Sequence, residues 1–307
     1  MRRLIVLGFL IAIGGLSLIA AGAQAPAQPG PKTIEMQKLK DNLYVLLSNV
    51  AGSPAFSGGT TAVYITDTGV VLVDTKLAGW GQAVLDKIRS VTDKPVTMII
   101  NTHTHGDHTG NDGFFGTSVE IVTHENTKTN MEKMDAFKGD NAKFLPKKTF
   151  KDKMSVLSGK DRLDLYYFGP GHTNGDAIIV FPALRIAHTG DLFAGKNPPR
   201  IDSGNGGSGV AYPQTVAKVV AGIANVDTII PGHNPVSTWK DLEEFARFNQ
   251  DFVATVRASM KAGKSVDDAA AAISMNLNDK YKDYGLQGAS KDRVKEDVQI
   301  IYKELQE

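Results

Sequence analysis

Four side chains that can bind a metal lie close together in the first half of the sequence. His103, His105, Asp107 and His108 fall within six consecutive positions and include three of the seven histidines of the chain. They follow the apolar run 96–100, which is predicted to be a strand. In an extended backbone alternate side chains face the same way, so we expect the first three to point to one side and His108 to turn towards a neighbouring centre. A solvated polar loop is the alternative interpretation, but the density of ligands favours a metal site.

The composition limits what can hold such a metal and what the protein can bind. The 307 residues contain no cysteine, which excludes disulfides, thiolate nucleophiles and Cys-ligated metal sites. With 34 basic and 33 acidic residues the net charge is +1, which does not indicate a nucleic-acid partner. The 42% hydrophobic and 22% charged content is typical of a soluble globular protein. The predicted partner is therefore a small molecule, and the predicted ligands are histidine and carboxylate.

Three further ligand-bearing motifs each follow a predicted strand. They are Gly169-Pro-Gly-His172, His188-Thr-Gly-Asp191 and Ile230-Pro-Gly-His233. Taken with the cluster at 103–108, they resemble the five-part ligand pattern of the metallo-β-lactamase superfamily over roughly residues 43–235, with all seven ligand positions in the right order. Val73-Asp74-Thr75 also resembles the first, mainly structural Asp motif of that superfamily.

The resemblance implies an α/β fold, the αββα four-layer sandwich, with a binuclear metal site along one edge. It assigns His103, His105 and His172 to the first metal, and Asp107, His108 and His233 to the second. Asp191 is expected to bridge the two. Imidazole and carboxylate ligands suit two Zn²⁺, with iron or manganese also acceptable.

The implied activity is hydrolysis by a hydroxide held between the metals, which lower the pKa of bound water to about 7. Asp107 is the predicted catalytic residue, because it can bind metal and also orient or deprotonate the water. His124 and His188 fall outside the ligand pattern and are interpreted as structural. His188 lies three residues before Asp191, so a role in orienting that ligand stays open for it.

The bond that is cleaved stays open among a small ester, thioester, lactone or β-lactam. The motif Thr-Gly-Asp-Leu-Phe, which contains Asp191, resembles that of thioesterases of the glyoxalase II type. A typical lactamase with a cysteine ligand is excluded, because that subclass has cysteine at this position. Another lactamase subclass lacks the bridging Asp, so this chain departs from it as well. Lys196 and Arg200 are candidates to bind a substrate carboxylate, unless their Gly-rich segment is only a flexible connection.

Two other functional classes remain possible. One is a mononuclear iron enzyme resembling the persulfide dioxygenases, which match at His103, His172 and Asp191. The other is a non-catalytic metal-binding accessory protein. The oligomeric state is not predicted.

The amino terminus predicts export to the periplasm or outside the cell. Arg2 and Arg3, the apolar run 4–20 and Ala21-Gly-Ala23 have the layout of a signal peptide over residues 1–23. A Pro/Gln-rich flexible leader is predicted over 24–36, and the metallo-β-lactamase-like domain with a helical C-terminal segment over 37–307. A retained signal segment, at the lower limit for a membrane span, is the only predicted link to a membrane.

Short apolar runs and helical patterns alternate between these motifs. The predicted strands are Tyr44–Leu47, Thr61–Ile65, Val70–Asp74, Val96–Ile100, Leu163–Phe168, Ala177–Phe181, Arg185–His188 and Thr228–Ile230. Helices are predicted over Trp80–Val91, Tyr212–Ala224 and Lys291–Leu305. The last follows a candidate cap, Ser290, and its apolar positions form one face that predicts packing on the core.

Overall fold

The structure is a computed structural model, and it describes residues 33–48, 55–286 and 290–307. The predicted signal peptide and residues 24–32 of the predicted leader lie outside the described residues. The first strand begins at Met36 and Ile34 is buried, so the folded part begins earlier than the predicted boundary at residue 37. Within the described residues, no helix combines the length and apolarity needed to cross a membrane.

Two β-sheets carry the strands. The first has seven strands in the order β1-β2-β3-β4-β5-β6-β7, antiparallel up to β4 and parallel from β4 to β7. Its strands are β1 Met36–Lys40, β2 Leu43–Leu46, β3 Thr61–Ile65, β4 Val70–Val73, β5 Val96–Ile100, β6 Glu120–His124 and β7 Lys148–Phe150. The second has the order β13-β12-β11-β10-β9-β8, with only β11 and β12 parallel. Its strands are β8 Lys153–Val156, β9 Leu163–Tyr167, β10 Ala177–Phe181, β11 Ile186–Gly190, β12 Thr228–Pro231 and β13 Ser237–Thr238.

Seven α-helices accompany the sheets in the described part of the chain. They are α1 Gly81–Arg89, α2 Gly106–Thr109, α3 Glu125–Met131, α4 Tyr212–Gly222, α5 Trp239–Lys261, α6 Val266–Leu277 and α7 Lys291–Glu304. The last three make up most of the C-terminal part of the chain, from residue 239 onward.

Three apolar clusters show how the layers stack. One lies between α1 and the outer face of the first sheet, through Val84 and Ile88. A second lies between the two sheets, and a third packs α4 to α7 on the outer face of the second sheet. Strands covered on both faces read as continuous apolar runs, as in β10, where Ile178 faces the helices and Ile179 the other sheet. The predicted αββα sandwich is therefore confirmed.

Strand and helix boundaries differ from prediction where the backbone turns. Asp74 has a left-handed φ of 63° and leaves β4, which ends at Val73. Arg185, also left-handed at 57°, precedes β11, which starts at Ile186 and runs on to Gly190 because its end pairs with β12. Ser290 is the residue before α7 as predicted, but its side chain makes no capping hydrogen bond.

Candidate metal centre

The ligand-bearing motifs meet at one edge of the sandwich. The cluster at 103–108 follows β5, while Asp191 and His233 follow the parallel strands β11 and β12, whose carboxyl ends point the same way. Backbone hydrogen bonds join the two sheets here, from Thr60 N to Gly232 O at 2.7 Å and from Ala177 N to Thr102 O at 2.8 Å.

One detail of the predicted geometry is wrong. Asp107 does not share a side with His103 and His105, because the chain is not extended there: α2 begins at Gly106, directly after His105. The helical turn rotates Asp107 towards His108 and His233 instead.

The structure brings all seven predicted ligands into two adjoining groups. His103, His105, His172 and Asp191 form the first group, and Asp107, His108 and His233 form the second; within each, the candidate ligand atoms lie within 4.8 Å of one another. This is the division that the resemblance implied.

Asp191 stands between the groups. Its Oδ2 lies 3.7 Å from Nε2 of His172 and 3.3 Å from Nε2 of His233, and its Oδ1 lies 3.4 Å from Nε2 of His108. One carboxylate thus contacts histidines of both groups, which is the arrangement that a bridging ligand requires.

In the first group, each histidine is fixed by the ring nitrogen that it turns away from the centre. His105 Nε2 contacts Asp202 Oδ2 at 2.6 Å, and His172 Nδ1 donates to the carbonyl of Arg200 at 2.6 Å. His103 Nδ1 lies 3.0 Å from Thr102 Oγ1. Such contacts fix the orientation of metal-binding imidazoles.

The second group is held in the same way. His108 Nδ1 contacts Asp74 Oδ2 at 2.7 Å, and His233 Nδ1 contacts Ser48 Oγ at 3.2 Å. Asp74 is itself held by Thr102, whose backbone N and Oγ1 donate to it at 2.8 and 2.7 Å. Asp74 therefore has the structural role that its motif implied.

The electrostatics of the first group fit a metal. Burial lowers the pKa of His172 to about 4 and that of His103 well below its ordinary value, so both rings are neutral and have a lone pair for a metal at pH 7.

In the second group, carboxylate charge dominates. Burial alone would lower the pKa of His233, but Asp191 and Asp107 raise it to about 9. Asp191 Oδ1 is buried and accepts no hydrogen bond. Converging carboxylates and a buried carboxylate oxygen without a hydrogen bond call for positive charge, which divalent metals would supply.

Two glycines let the ligands approach the backbone this closely. A Cβ at Gly232 would lie 1.9 Å from Asp191 Oδ1, and a Cβ at Gly59 would lie 2.2 Å from the ring of His108. The first belongs to the Pro-Gly-His motif, so that glycine is part of the site.

The two predicted substrate-binding residues have different surroundings. Lys196 Nζ forms ion pairs with Asp241 at 2.9 Å and Glu244 at 3.4 Å. Both acids lie on α5, so the charge of Lys196 is already neutralised there. Arg200 is exposed and lines a cavity of ≈ 210 Å³ together with the ligands Asp191 and His233. The structure thus places Arg200, and not Lys196, beside the metal centre.

The two remaining histidines bond to backbone. His124 Nε2 donates to Lys151 O at 2.7 Å, and its Nδ1 accepts from Asn126 N at the start of α3. His188 Nε2 donates to Thr60 O at 3.3 Å, and its Nδ1 accepts from Gly190 N, next to Asp191.

Sequence reasoning missed Asp202 and Ser48. Asp202 lies 97 positions from His105 and Ser48 185 positions from His233, and neither falls in a ligand motif. The one available signal was the nearness of Asp202 to Arg200 in the Gly-rich segment.

Known proteins share both the sequence pattern and the fold. The sequence model of the metallo-beta-lactamase superfamily matches residues 56–233. The chain is 28% identical over 265 residues to "Metallo-beta-lactamase type 2" of Elizabethkingia meningoseptica, covering 82% of this chain and 96% of the relative. It is 26% identical to "Metallo-beta-lactamase IND-1" of Chryseobacterium indologenes over 66% of this chain and 81% of the relative.

Solved structures confirm the fold. A metallo-beta-lactamase from Pontibacter korlensis matches with a TM-score of 0.58 and 21% identity, over 71% of this chain and 99% of that one. The DIM-1 metallo-beta-lactamase matches with a TM-score of 0.59 and 17% identity, over 71% and 98%. The family match covers more than half of the chain and contains all seven predicted ligands, so the chain belongs to the metallo-beta-lactamase superfamily and is a metal-dependent hydrolase.

Proposed function

We propose that the protein is an exported binuclear zinc hydrolase that cleaves a small ester, thioester, lactone or β-lactam. The observation that carries the proposal is the position of Asp191, whose two oxygens lie 3.3 to 3.7 Å from histidines of both ligand groups. The three histidines of the first group and the Asp and two histidines of the second would each hold one Zn²⁺.

The protein's own residues support hydrolysis beside these ligands. Bound there, two divalent metals would lower the pKa of a water molecule and polarise the scissile carbonyl. Burial raises the pKa of Asp107, but His108 and His233 outweigh it and keep that pKa below its ordinary value. Asp107 is therefore an ionised carboxylate at neutral pH, able to orient a water and accept its proton.

The substrate class follows from the site and from the relatives. The sequence relatives carry the name metallo-beta-lactamase, which makes a β-lactam the first substrate to test. Asp191 stands where the cysteine-type lactamases have cysteine, so thioesters and lactones belong in the same test. A groove of ≈ 760 Å³ beside Asp107 is lined by Phe56, Phe114 and Phe144 and suits an apolar acyl group.

Export is proposed from the sequence alone. Residues 1–23 have the charged, apolar and small-residue sections of a signal peptide, which would direct the protein to the periplasm or the exterior. Amino-terminal sequencing of the protein recovered from periplasmic extract tests this, and a mature chain beginning at Gln24 is expected.

The two alternative functions are less well supported. A single-iron dioxygenase needs only His103, His172 and Asp191, whereas here the second ligand group is also complete. An accessory protein needs no substrate cavity, whereas three cavities are each lined by at least one predicted metal ligand.

Metal analysis and turnover on one sample test the proposal. We expect about two zinc ions per chain by plasma mass spectrometry, and chelator-sensitive cleavage of nitrocefin, a thioester or a lactone. One iron per chain with oxygen consumption would instead establish the dioxygenase. A folded protein with bound metal and no turnover would favour the accessory role.

Replacing Asp107 tests its catalytic role. Asp107→Ala is expected to lower kcat by about 100-fold or more, because a positioned acid–base group contributes on the order of 10²–10⁴. Circular dichroism should show an unchanged fold. Asp140→Ala, at an exposed position, is the control. Wild-type turnover by Asp107→Ala would contradict the assigned role.

A further inference from the structure

We propose that Arg293, on helix α7, joins Arg200 to form a binding site for a carboxylate group of the substrate. The inference rests on the proposed hydrolytic function and narrows its substrate class to acyl compounds that carry a carboxylate. Arg293 lies 60 positions beyond the last metal ligand, His233, and outside residues 56–233 that match the family. The C-terminal helix would thus supply specificity to a site built by the sandwich.

The location of Arg293 is the first observation. It lines the ≈ 210 Å³ cavity whose other charged side chains are Arg200 and the metal ligands Asp191 and His233. A group bound to the arginines would therefore lie beside the metals. The cavity has room for a carboxylate and a short linker, but not for a large ligand.

The second observation is that neither guanidinium group forms an ion pair in the described part of the chain. Among the described residues, neither Arg200 nor Arg293 has an acidic partner within the 4.0 Å limit of an ion pair. The Nε of Arg293 is buried without a hydrogen-bond partner. A buried donor without a partner is costly, and a ligand oxygen would satisfy it.

Asp297 is the nearby acid that could have neutralised Arg293, one helical turn further on. Its Oδ1 accepts from the backbone N of Ile201 at 3.4 Å, and its Oδ2 has no partner. Burial raises the pKa of Asp297 well above its ordinary value, which favours the neutral acid. The positive charge of Arg293 is therefore left available to a ligand.

The charge distribution selects one of two adjoining cavities. Both arginines also line a cavity of ≈ 330 Å³, but that one contains the carboxylates of Asp202 and Glu296. An anion would be repelled there. In the ≈ 210 Å³ cavity the one carboxylate is Asp191, which the metals would neutralise.

Helix α7 is held rigidly enough to position Arg293. Val294, Val298 and Ile301 are fully buried against the second sheet's helical layer. At the other end of α7, Glu304 accepts hydrogen bonds from Ser208 Oγ and the backbone N of Gly209 at 2.7 and 2.9 Å. These bonds tie α7 to the segment that follows Arg200.

A carboxylate is the ligand that this pair recognises best. Guanidinium groups present parallel N–H donors that match the two oxygens of a carboxylate, and they stay charged at all working pH values. The bound group would hold the substrate while its acyl carbon lies at the metals.

A matched pair of thioesters tests the inference. S-Benzoyl-mercaptoacetate carries a carboxylate where S-benzoyl-mercaptoacetamide carries a neutral amide, and the two are otherwise the same. With the zinc enzyme, Arg293→Gln is expected to lower kcat/KM for the acid about 10- to 100-fold, mainly through KM, because a hydrogen bond to a charged group is worth about 1.5–3 kcal/mol. The amide should be unaffected. Arg293→Lys should recover part of the loss, and Lys291→Gln, an exposed site on the same helix, is the charge-matched control.

A binding measurement separates this inference from the proposed hydrolysis. In metal-free protein, the Nε–H NMR signal of Arg293 is expected to shift saturably with benzoate and not with benzamide. If neither thioester, nor nitrocefin, nor a lactone is cleaved, the hydrolytic proposal fails, yet a saturable benzoate shift would still support the carboxylate site. Equal effects of Arg293→Gln on the two thioesters, or no benzoate shift, would overturn it.

Discussion

At the scale of single residues, the candidate metal centre is organised by the second ring nitrogen of each histidine. Five histidines offer one ring nitrogen to the centre and bond with the other to a carboxylate, hydroxyl or carbonyl. The tautomer and the ring orientation are therefore set before a metal arrives. This preorganisation lowers the free-energy cost of arranging the histidines around a metal.

Asp202 is the partner whose removal tests this most directly. Asp202→Ala leaves the Nε2 of His105 without its 2.6 Å contact, so we expect one zinc ion to bind about 10- to 100-fold more weakly. Competition with a chelator of known affinity measures this. Ser203→Ala, at an exposed neighbouring position, is the control, and wild-type affinity for both zinc ions in Asp202→Ala would refute the prediction.

Asp112 gives the stability of the protein a pH dependence. It is fully buried, and burial raises its pKa to about 8, although Thr75 Oγ1 donates to it at 2.8 Å. In the unfolded chain an aspartate loses its proton at about pH 3.9. Between the two pKa values the folded state holds one more proton, so stability falls as the pH rises from about 4 to 8, by about 1.4 kcal/mol per pH unit.

Asp112→Asn removes this proton and should flatten that fall. Urea unfolding of metal-free protein at pH 5, 6, 7 and 8 measures the slope. The exposed Asp93→Asn is expected to keep the wild-type slope, and an unchanged slope in Asp112→Asn would show that Asp112 is ionised in the folded state.

At the scale of elements, a single helical turn decides which of the two ligand groups Asp107 joins. Because α2 begins directly after His105, Asp107 turns from the first group to the second. Parallel pairing of β11 and β12 then sets Asp191 and His233 side by side. The elements therefore determine the geometry that the ligand types alone left open.

Helix α7 lies outside the family match but is part of the core. Ile301 is fully buried, whereas its neighbour Ile300 is only partly buried. Ile301→Ala is expected to lower the free energy of unfolding by about 2–5 kcal/mol, because it leaves a cavity among packed side chains. Chemical denaturation measures this, and Ile300→Ala should cost clearly less. Equal small losses would mean that α7 adds little to the stability of the sandwich.

At the scale of the whole molecule, the metals would link the two sheets. Four predicted ligands come directly after β5 of the first sheet, and three come after strands β9, β11 and β12 of the second. The three apolar clusters do not depend on the metal site, so the metal-free chain should remain folded.

Metal removal should therefore destabilise the protein without unfolding it. With free zinc at 1,000 times its dissociation constant, one site adds about 4 kcal/mol to the free energy of unfolding. Chemical denaturation in zinc-buffered solution and in chelator measures the difference, and readdition of zinc should restore it. The same free energy in both conditions would mean that the folded state holds no tightly bound zinc.

The sequence by itself determined the ligand set, its order and the family resemblance, because these depend on residue types at short spacings. It also indicated the strands that bear the ligands, since strands buried on both faces appear as continuous apolar runs. Long-range proximities were decided only by the tertiary structure: the contacts of Asp202 with His105 and of Ser48 with His233, and the cavity that Arg200 and Arg293 both line. No local pattern encodes them, because each depends on how two separately folded elements pack at the edge of the sandwich.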